Sequence, residues 1–138
     1  MYFTLYADGG SRGNPGPAGA GSFVRDEEGV QVVTVSEYLG ITTNNIAEYT
    51  ALLRALEELR TLLGEASGGA VVDARLDSQL VVRQMNGEYK IKHPNIIPLA
   101  SRVKEVVRAF KTVSFTHVYR EDNKEADALA NEAMDRGH

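Results

Sequence analysis

The apolar residues of this chain change period once, and that change limits the possible folds more than any other feature. Phe3, Leu5 and Ala7 alternate with Tyr2, Thr4 and Tyr6, the two-residue period of a strand, which runs as far as Asp8. Residues 9–17 are dense in Gly and Pro and read as a loop. Residues 18–26 and 30–39 are strand-like again and are joined by Glu27-Glu28-Gly29, so they predict a hairpin. From Asn45 the period becomes helical. Ile46, Tyr49, Leu52, Leu53, Leu56, Leu59 and Leu63 form one stripe closed by Gly64, and Asn45 with Glu48 three residues later resembles a capping box.

Beyond this point strands and helices alternate. Residues 70–77 predict a strand with Val72, Ala74 and Leu76 on one face, and residues 78–85 a brief helix stopped near Asn86-Gly87. Pro94 and Pro98 bracket the start of another helix, striped by Leu99, Val103, Val106, Val107 and Phe110. Residues 113–119 predict a fifth strand. Residues 123–134 form an Ala-rich last helix with Ala126, Leu129, Ala130 and Ala133 facing inward. The order βββαβααβα predicts an α/β fold: a five-stranded mixed sheet, three antiparallel strands first, flanked by helices, in a single domain over residues 1–138.

Charge is unevenly distributed along this order. Residues 1–82 hold 11 acids and 5 bases, residues 83–120 hold 2 acids and 8 bases, and residues 121–138 hold 6 acids and 2 bases. A basic middle between acidic ends offers one face to phosphates, or merely a solvated helix face. With no cysteine, the chain has no disulfide, thiolate metal site or thiol nucleophile, in agreement with a reducing, cytoplasmic compartment. Its first residues lack a signal-peptide pattern, and no apolar run reaches the roughly 18 residues a membrane span needs, so secreted and membrane-spanning readings are set aside.

The chemistry lies in isolated carboxylates. Asp8 ends the first strand and Asp77 the fourth, and ligands of open α/β sheets gather beyond the carboxyl ends of strands. Glu48 aligns with Leu52 and Leu56 at the edge of the helical stripe, and Asp127 lies one turn into the last helix beside Ala126. Taken singly, each has an ordinary structural reading as a cap or a favourable charge at a helix start. Taken together, four oxygen donors in a chain with no Cys and 3 His suit a hard divalent cation, Mg²⁺ first. Such a cluster suits phosphoryl transfer, in which two ions about 4 Å apart activate water and stabilise the leaving oxygen.

These residues carry a family resemblance. Tyr6-Ala7-Asp8-Gly9-Gly10-Ser11-Arg12-Gly13-Asn14-Pro15-Gly16 resembles the opening of type 1 ribonuclease H. Thr42-Thr43-Asn44-Asn45-Ile46-Ala47-Glu48-Tyr49 is similar to its second motif and Leu76-Asp77-Ser78-Gln79-Leu80 to its third. His117-Val118-Tyr119-Arg120-Glu121-Asp122-Asn123-Lys124-Glu125-Ala126-Asp127 is similar to its fourth. The resemblance spans essentially the whole chain. It implies a ribonuclease H-like fold in which Asp8, Glu48, Asp77 and Asp127 hold two Mg²⁺ or Mn²⁺ ions. It also implies endonucleolytic hydrolysis of the RNA strand of an RNA–DNA hybrid, leaving 5′-phosphate and 3′-hydroxyl ends.

Acting on RNA alone requires sensing 2′-hydroxyls across the minor groove, and amides both donate to and accept from a hydroxyl. By resemblance, Asn14, Asn44 and Gln79 contact the minor groove and Thr43 a phosphate of the DNA strand. Turn chemistry, pre-helix positions and simple exposure are the structural alternatives. His117 resembles the family's proton-relaying or product-releasing histidine, although here the alternation of Val113, Phe115 and His117 puts it in a strand without a Gly-rich loop. Arg120 contacts the scissile region or product phosphate, or else pairs with Glu121 or Asp122. The chain has no Trp and only Lys90, Lys92 and His93 where some members carry a basic, Trp-rich protrusion, so it resembles the compact form of the family, without a separate hybrid-binding domain. No membrane and no obligate protein partner are implied. The competing readings are a junction resolvase or transposase-type nuclease on the same fold, and a catalytically silent nucleic-acid-binding module.

Overall fold

A computed structural model describes all 138 residues. Strands β1 (Tyr2–Ser11), β2 (Gly16–Arg25) and β3 (Gln31–Thr42) lead into helix α1 (Asn44–Leu63). After a 3₁₀ segment (Gly64–Gly69) come β4 (Val71–Leu76), α2 (Gln79–Met85), α3 (Ile97–Val107) and β5 (Thr112–His117). A short 3₁₀ turn (Arg120–Asp122) precedes α4 (Lys124–Arg136). The order is the expected one, in one five-stranded sheet arranged β3-β2-β1-β4-β5. β1, β2 and β3 pair antiparallel, while β4 runs parallel to β1 and β5 parallel to β4. No helix is long and apolar enough to cross a membrane.

The two faces of the sheet are packed differently. Phe3, Leu5, Ala7, Val72, Ala74 and Leu76 face α1 and are buried with Leu52, Leu53, Leu56 and Leu59 in one core. Each such Leu contributes about 1.5–3 kcal/mol by leaving water. On the opposite face α4 buries only Ala126, Ala130 and Ala133.

Two expectations fail locally. Residues 9–17 are not all loop: β1 continues through Gly9 and Gly10 to Ser11, paired with Ala20, Gly19 and Ala18, and only residues 12–15 turn. The glycines serve close approach. A Cβ on Gly9 would collide with the backbone of Ala47 and Glu48, and one on Gly21 with the backbone of Ala126 and Ala130. The sheet is thus bare where α1 presses on one face and α4 on the other. The capping box is also wrong. The N-cap of α1 is Thr43, whose hydroxyl accepts from the Ile46 N–H at 3.4 Å, so Asn45 lies inside the helix. Glu48 is thereby released from capping and faces Asp77 and Ser78.

Candidate active site

Parallel pairing of β1 and β4 ends at Ala7 and Leu76, so Asp8 and Asp77 are the next residues on two adjacent strands. Gly9 brings the backbone of Glu48 onto β1, and Gly21, which pairs with Asp8, brings α4 down one residue before Asp127. The four predicted carboxylates are therefore gathered by backbone geometry at one end of the sheet. Asp8 is central, within hydrogen-bonding reach of both Asp77 and Asp127. Burial, then the charge of Asp77 and the contact with Asp127, push its pKa up to about 8. Burial, opposed by the Ser78 hydroxyl and aided by the Asp77 charge, pushes Glu48 up to about 7. The neighbouring Tyr49 phenol is raised by burial and by the charge of Glu48.

The acids adjoin one another in pairs, and no three of them close around a common point as a finished metal cage would. The donor set nonetheless suits a hard cation. Asp8 lies between two carboxylates, and Glu48 Oε2 is buried with no hydrogen-bond partner. A buried carboxylate oxygen without a donor is costly, and a divalent cation removes both that cost and the repulsion. None of the four acids lines an enclosed cavity. The nearest hollow, about 190 Å³, is lined by Tyr6, Asn123 and Lys124 among others.

Around them, the predicted amides form a scaffold. Asn44 Oδ1 accepts from the Ser11 N–H at 2.8 Å and from the Ser11 hydroxyl at 2.9 Å, and the Asn44 N–H donates to Asn14 Oδ1 at 3.1 Å. These bonds tie the end of β1, the 12–15 turn and the start of α1 together. The carbonyl halves of both amides are thus engaged, and their NH₂ groups have no protein partner, which leaves donors rather than the donor–acceptor pair expected from the sequence. Gln79 is exposed at the start of α2 with Ser78 as N-cap. His117 is exposed at the last residue of β5, in register with Leu76, with its ring edge-on to Tyr119 at 5.8 Å. Arg120 is exposed and pairs with neither Glu121 nor Asp122.

Two residues escaped the sequence reading. Ser11 donates twice to Asn44, the hub of the amide network, and Asn123 is buried at 2% exposure with its Nδ2 donating to the Ala7 carbonyl at 2.9 Å. Neither has a charge or periodicity that marks it. Asn123 reads as an ordinary N-cap, yet its side chain makes no capping bond.

A five-stranded mixed sheet of this order, with acids at the carboxyl ends of its central strands and helices on both faces, defines a ribonuclease H-like domain. The sequence pattern of the reverse transcriptase-like family matches residues 6–133. The chain is 40% identical over 136 residues to the bifunctional protein Rv2228c of Mycobacterium tuberculosis, covering 98% of this chain and 36% of that protein. It is 42% identical over 130 residues to ribonuclease HI of Halobacterium salinarum, covering 94% of this chain and 63% of that one. Among solved structures, LC11-RNase H1, isolated from compost, in complex with an RNA/DNA hybrid superposes with a TM-score of 0.91 at 44% identity, covering 97% of each chain. The ribonuclease H1 of Halobacterium salinarum gives 0.89 at 40% identity, covering 99% of each chain. The chain belongs to the reverse transcriptase-like family and, within it, to the type 1 ribonucleases H. It spans about a third of the length of the mycobacterial relatives and under two thirds of the halobacterial one.

Proposed function

We propose that the chain is an endoribonuclease that hydrolyses the RNA strand of RNA–DNA hybrids with the help of divalent cations. The observation that carries this reading is the crowding of Asp8 between Asp77 and Asp127 just beyond the point where β1 and β4 stop pairing, with Glu48 alongside. Like charges this close are tolerated at neutral pH only with bound protons or cations. The similarity to a ribonuclease H1 crystallised with an RNA/DNA hybrid supports the choice of substrate.

In this reading Asp8, Glu48, Asp77 and Asp127 hold two ions, Mg²⁺ or Mn²⁺. Such ions activate a water and neutralise charge developing on the leaving oxygen. The water oxygen bonds to phosphorus as the bond from phosphorus to the 3′ oxygen breaks. The proton lost by the water is taken up by the medium, and the departing oxygen is protonated to a 3′-hydroxyl, leaving a 5′-phosphate on the downstream fragment. The free NH₂ groups of Asn14 and Asn44 donate to ribose 2′-oxygens, and Gln79 does the same from the start of α2. Thr43 spends its oxygen lone pair on the Ile46 N–H, so its hydroxyl proton is free for a phosphate oxygen of the DNA strand. His117 and Arg120, both exposed near the end of β5, act on the product side: His117 carries protons, and Arg120 meets the product phosphate.

The test is digestion of an end-labelled RNA–DNA hybrid with Mg²⁺, Mn²⁺ or EDTA, alongside RNA–RNA, DNA–DNA and four-way-junction substrates. Metal-dependent internal cuts confined to the RNA of the hybrid, with 5′-phosphate ends, are expected. An intact hybrid would favour the silent module, and cleavage of junctions instead would favour the resolvase reading.

A further inference from the structure

Asn123 joins the two strand-and-helix elements that bring Asp8 and Asp127 together. Its side-chain Nδ2 donates to the Ala7 carbonyl at 2.9 Å, and that carbonyl belongs to the peptide bond leading into Asp8. Its own carbonyl accepts from the Asp127 N–H at 3.1 Å. One residue is thus bonded to the peptide before the first acid and to the amide of the last. The Ala7 carbonyl lies at the last residue of β1 paired with β4, where the two strands part, so Asn123 sits at the fork from which Asp8 and Asp77 emerge.

The side chain does this at a cost. Asparagine at a helix start normally accepts from an N–H of the first turn and so stabilises the helix. Asn123 makes no such bond, and its Oδ1 is buried with no partner at all. A buried amide oxygen without a donor is unfavourable, so helix stability alone does not explain the residue. The neighbouring tie of α4, from the Ser36 hydroxyl to the Leu129 carbonyl at 2.8 Å, holds the same helix to β3 without touching either acid's peptide.

We infer that Asn123 is a positioning residue that sets the separation of Asp8 and Asp127 by clamping the start of α4 to the Ala7 carbonyl, so that the pair takes up a divalent cation together. This rests on the proposed cation site, but its primary readout is cation binding rather than cleavage. Residues that orient metal ligands from behind typically change metal affinity or activity by about 10–100-fold when removed.

The experiment titrates Mn²⁺ by calorimetry into wild type, Asn123→Ser, Asn123→Ala and Ser36→Ala, each checked for folding by circular dichroism, and measures hybrid cleavage in parallel. Serine is a good N-cap but too short to reach Ala7, so Asn123→Ser separates capping from clamping. The clamp predicts Mn²⁺ affinity weaker by about tenfold or more in both Asn123 variants, with kcat reduced and KM for hybrid little changed. Ser36→Ala should bind as wild type does. Wild-type affinity in folded Asn123→Ser, or equal weakening in Ser36→Ala, would overturn the inference, as would a wild type that binds no Mn²⁺. If wild type binds Mn²⁺ but leaves hybrid intact, the functional reading falls while weakened binding in Asn123→Ser still supports the clamp. Should both Asn123 variants fail to fold, the wild-type Asn123 NH₂ protons decide: slow exchange with solvent supports the clamp, and free exchange contradicts it.

Discussion

Helices α1 and α4 lie on opposite faces of the same sheet and each brings one carboxylate to its carboxyl end, Glu48 and Asp127, yet they are held by different means. α1 buries four leucines and Tyr49 against the sheet, chiefly over β1, β2 and β3, and touches bare glycine backbone at Gly9 alone. α4 buries three alanines and makes its closest approach through bare glycine backbone at Gly19 and Gly21, with side-chain ties from Ser36 and Asn123. The first arrangement supplies most of the apolar burial. The second supplies little burial but fixes backbone positions closely, because nothing deformable lies between helix and strand. Damage to the leucine face of α1 should therefore appear as lost stability, and damage to the glycine contact of α4 as lost catalysis.

The largest expected effect comes from the stretch of β1 that lies between the two helices. Asp8→Asn keeps shape and removes charge, and hybrid cleavage should fall by more than about 100-fold, beyond the usual effect of an outer hydrogen-bond partner. End-labelled hybrid assays measure it. Next is Leu56→Ala in α1, which should cost about 2–5 kcal/mol. The melting temperature should drop by roughly 2–4 °C per kcal/mol, with cleavage per folded molecule unchanged well below the melt. Gly21→Ala should do the reverse. Its Cβ meets the Ala126 and Ala130 backbone, α4 must lift, and activity should fall further than a cost of about 1–3 kcal/mol in stability would explain. If Gly21→Ala loses stability alone, or Leu56→Ala loses activity in the folded state, the contrast between the helices is wrong.

The smallest effect is in pH. Asp8 is raised from 3.8 to about 8 in the folded protein and Glu48 from 4.5 to about 7, so between those limits the folded state binds more protons than the unfolded one. Stability from these groups is fully present below about pH 4 and is lost as pH rises toward about 8. Urea unfolding of metal-free protein across this range should show the decline, superimposed on the other titrations. Asp8→Asn should flatten it.

The order of elements was legible because a change from two-residue to 3.6-residue periodicity survives in any environment that has one buried face. The carboxylates were legible because Asp8 and Asp77 interrupt apolar patterns where β1 and β4 part, and Glu48 and Asp127 border buried stripes. The Gly9-Gly10 strand was not, since the reason for glycine at position 9 is the backbone of Ala47, 38 residues along the chain. Thr43 displaced the Asn45–Glu48 box because each of the successive polar residues Thr43, Asn44 and Asn45 gives the same local signal before a helix. Asn123 lies 116 residues from the carbonyl it holds, a contact that no local pattern encodes. The free ends of the amides were hidden for the same reason, since Ser11 and Asn44 are 33 residues apart.

The central claim, that four acids from two strands and two helices share one cation site, is tested most directly by thermal melts of wild type and Asp8→Asn near pH 8, each with EDTA and with about 10 mM Mg²⁺. The shared site predicts that Mg²⁺ raises the wild-type melting temperature. It predicts too that Asp8→Asn is more stable than wild type in EDTA, and that the variant gains less from Mg²⁺. Equal Mg²⁺ responses in the two proteins, with no gain from Asp8→Asn in EDTA, would mean that the acids are independent caps and surface charges and that the account is wrong.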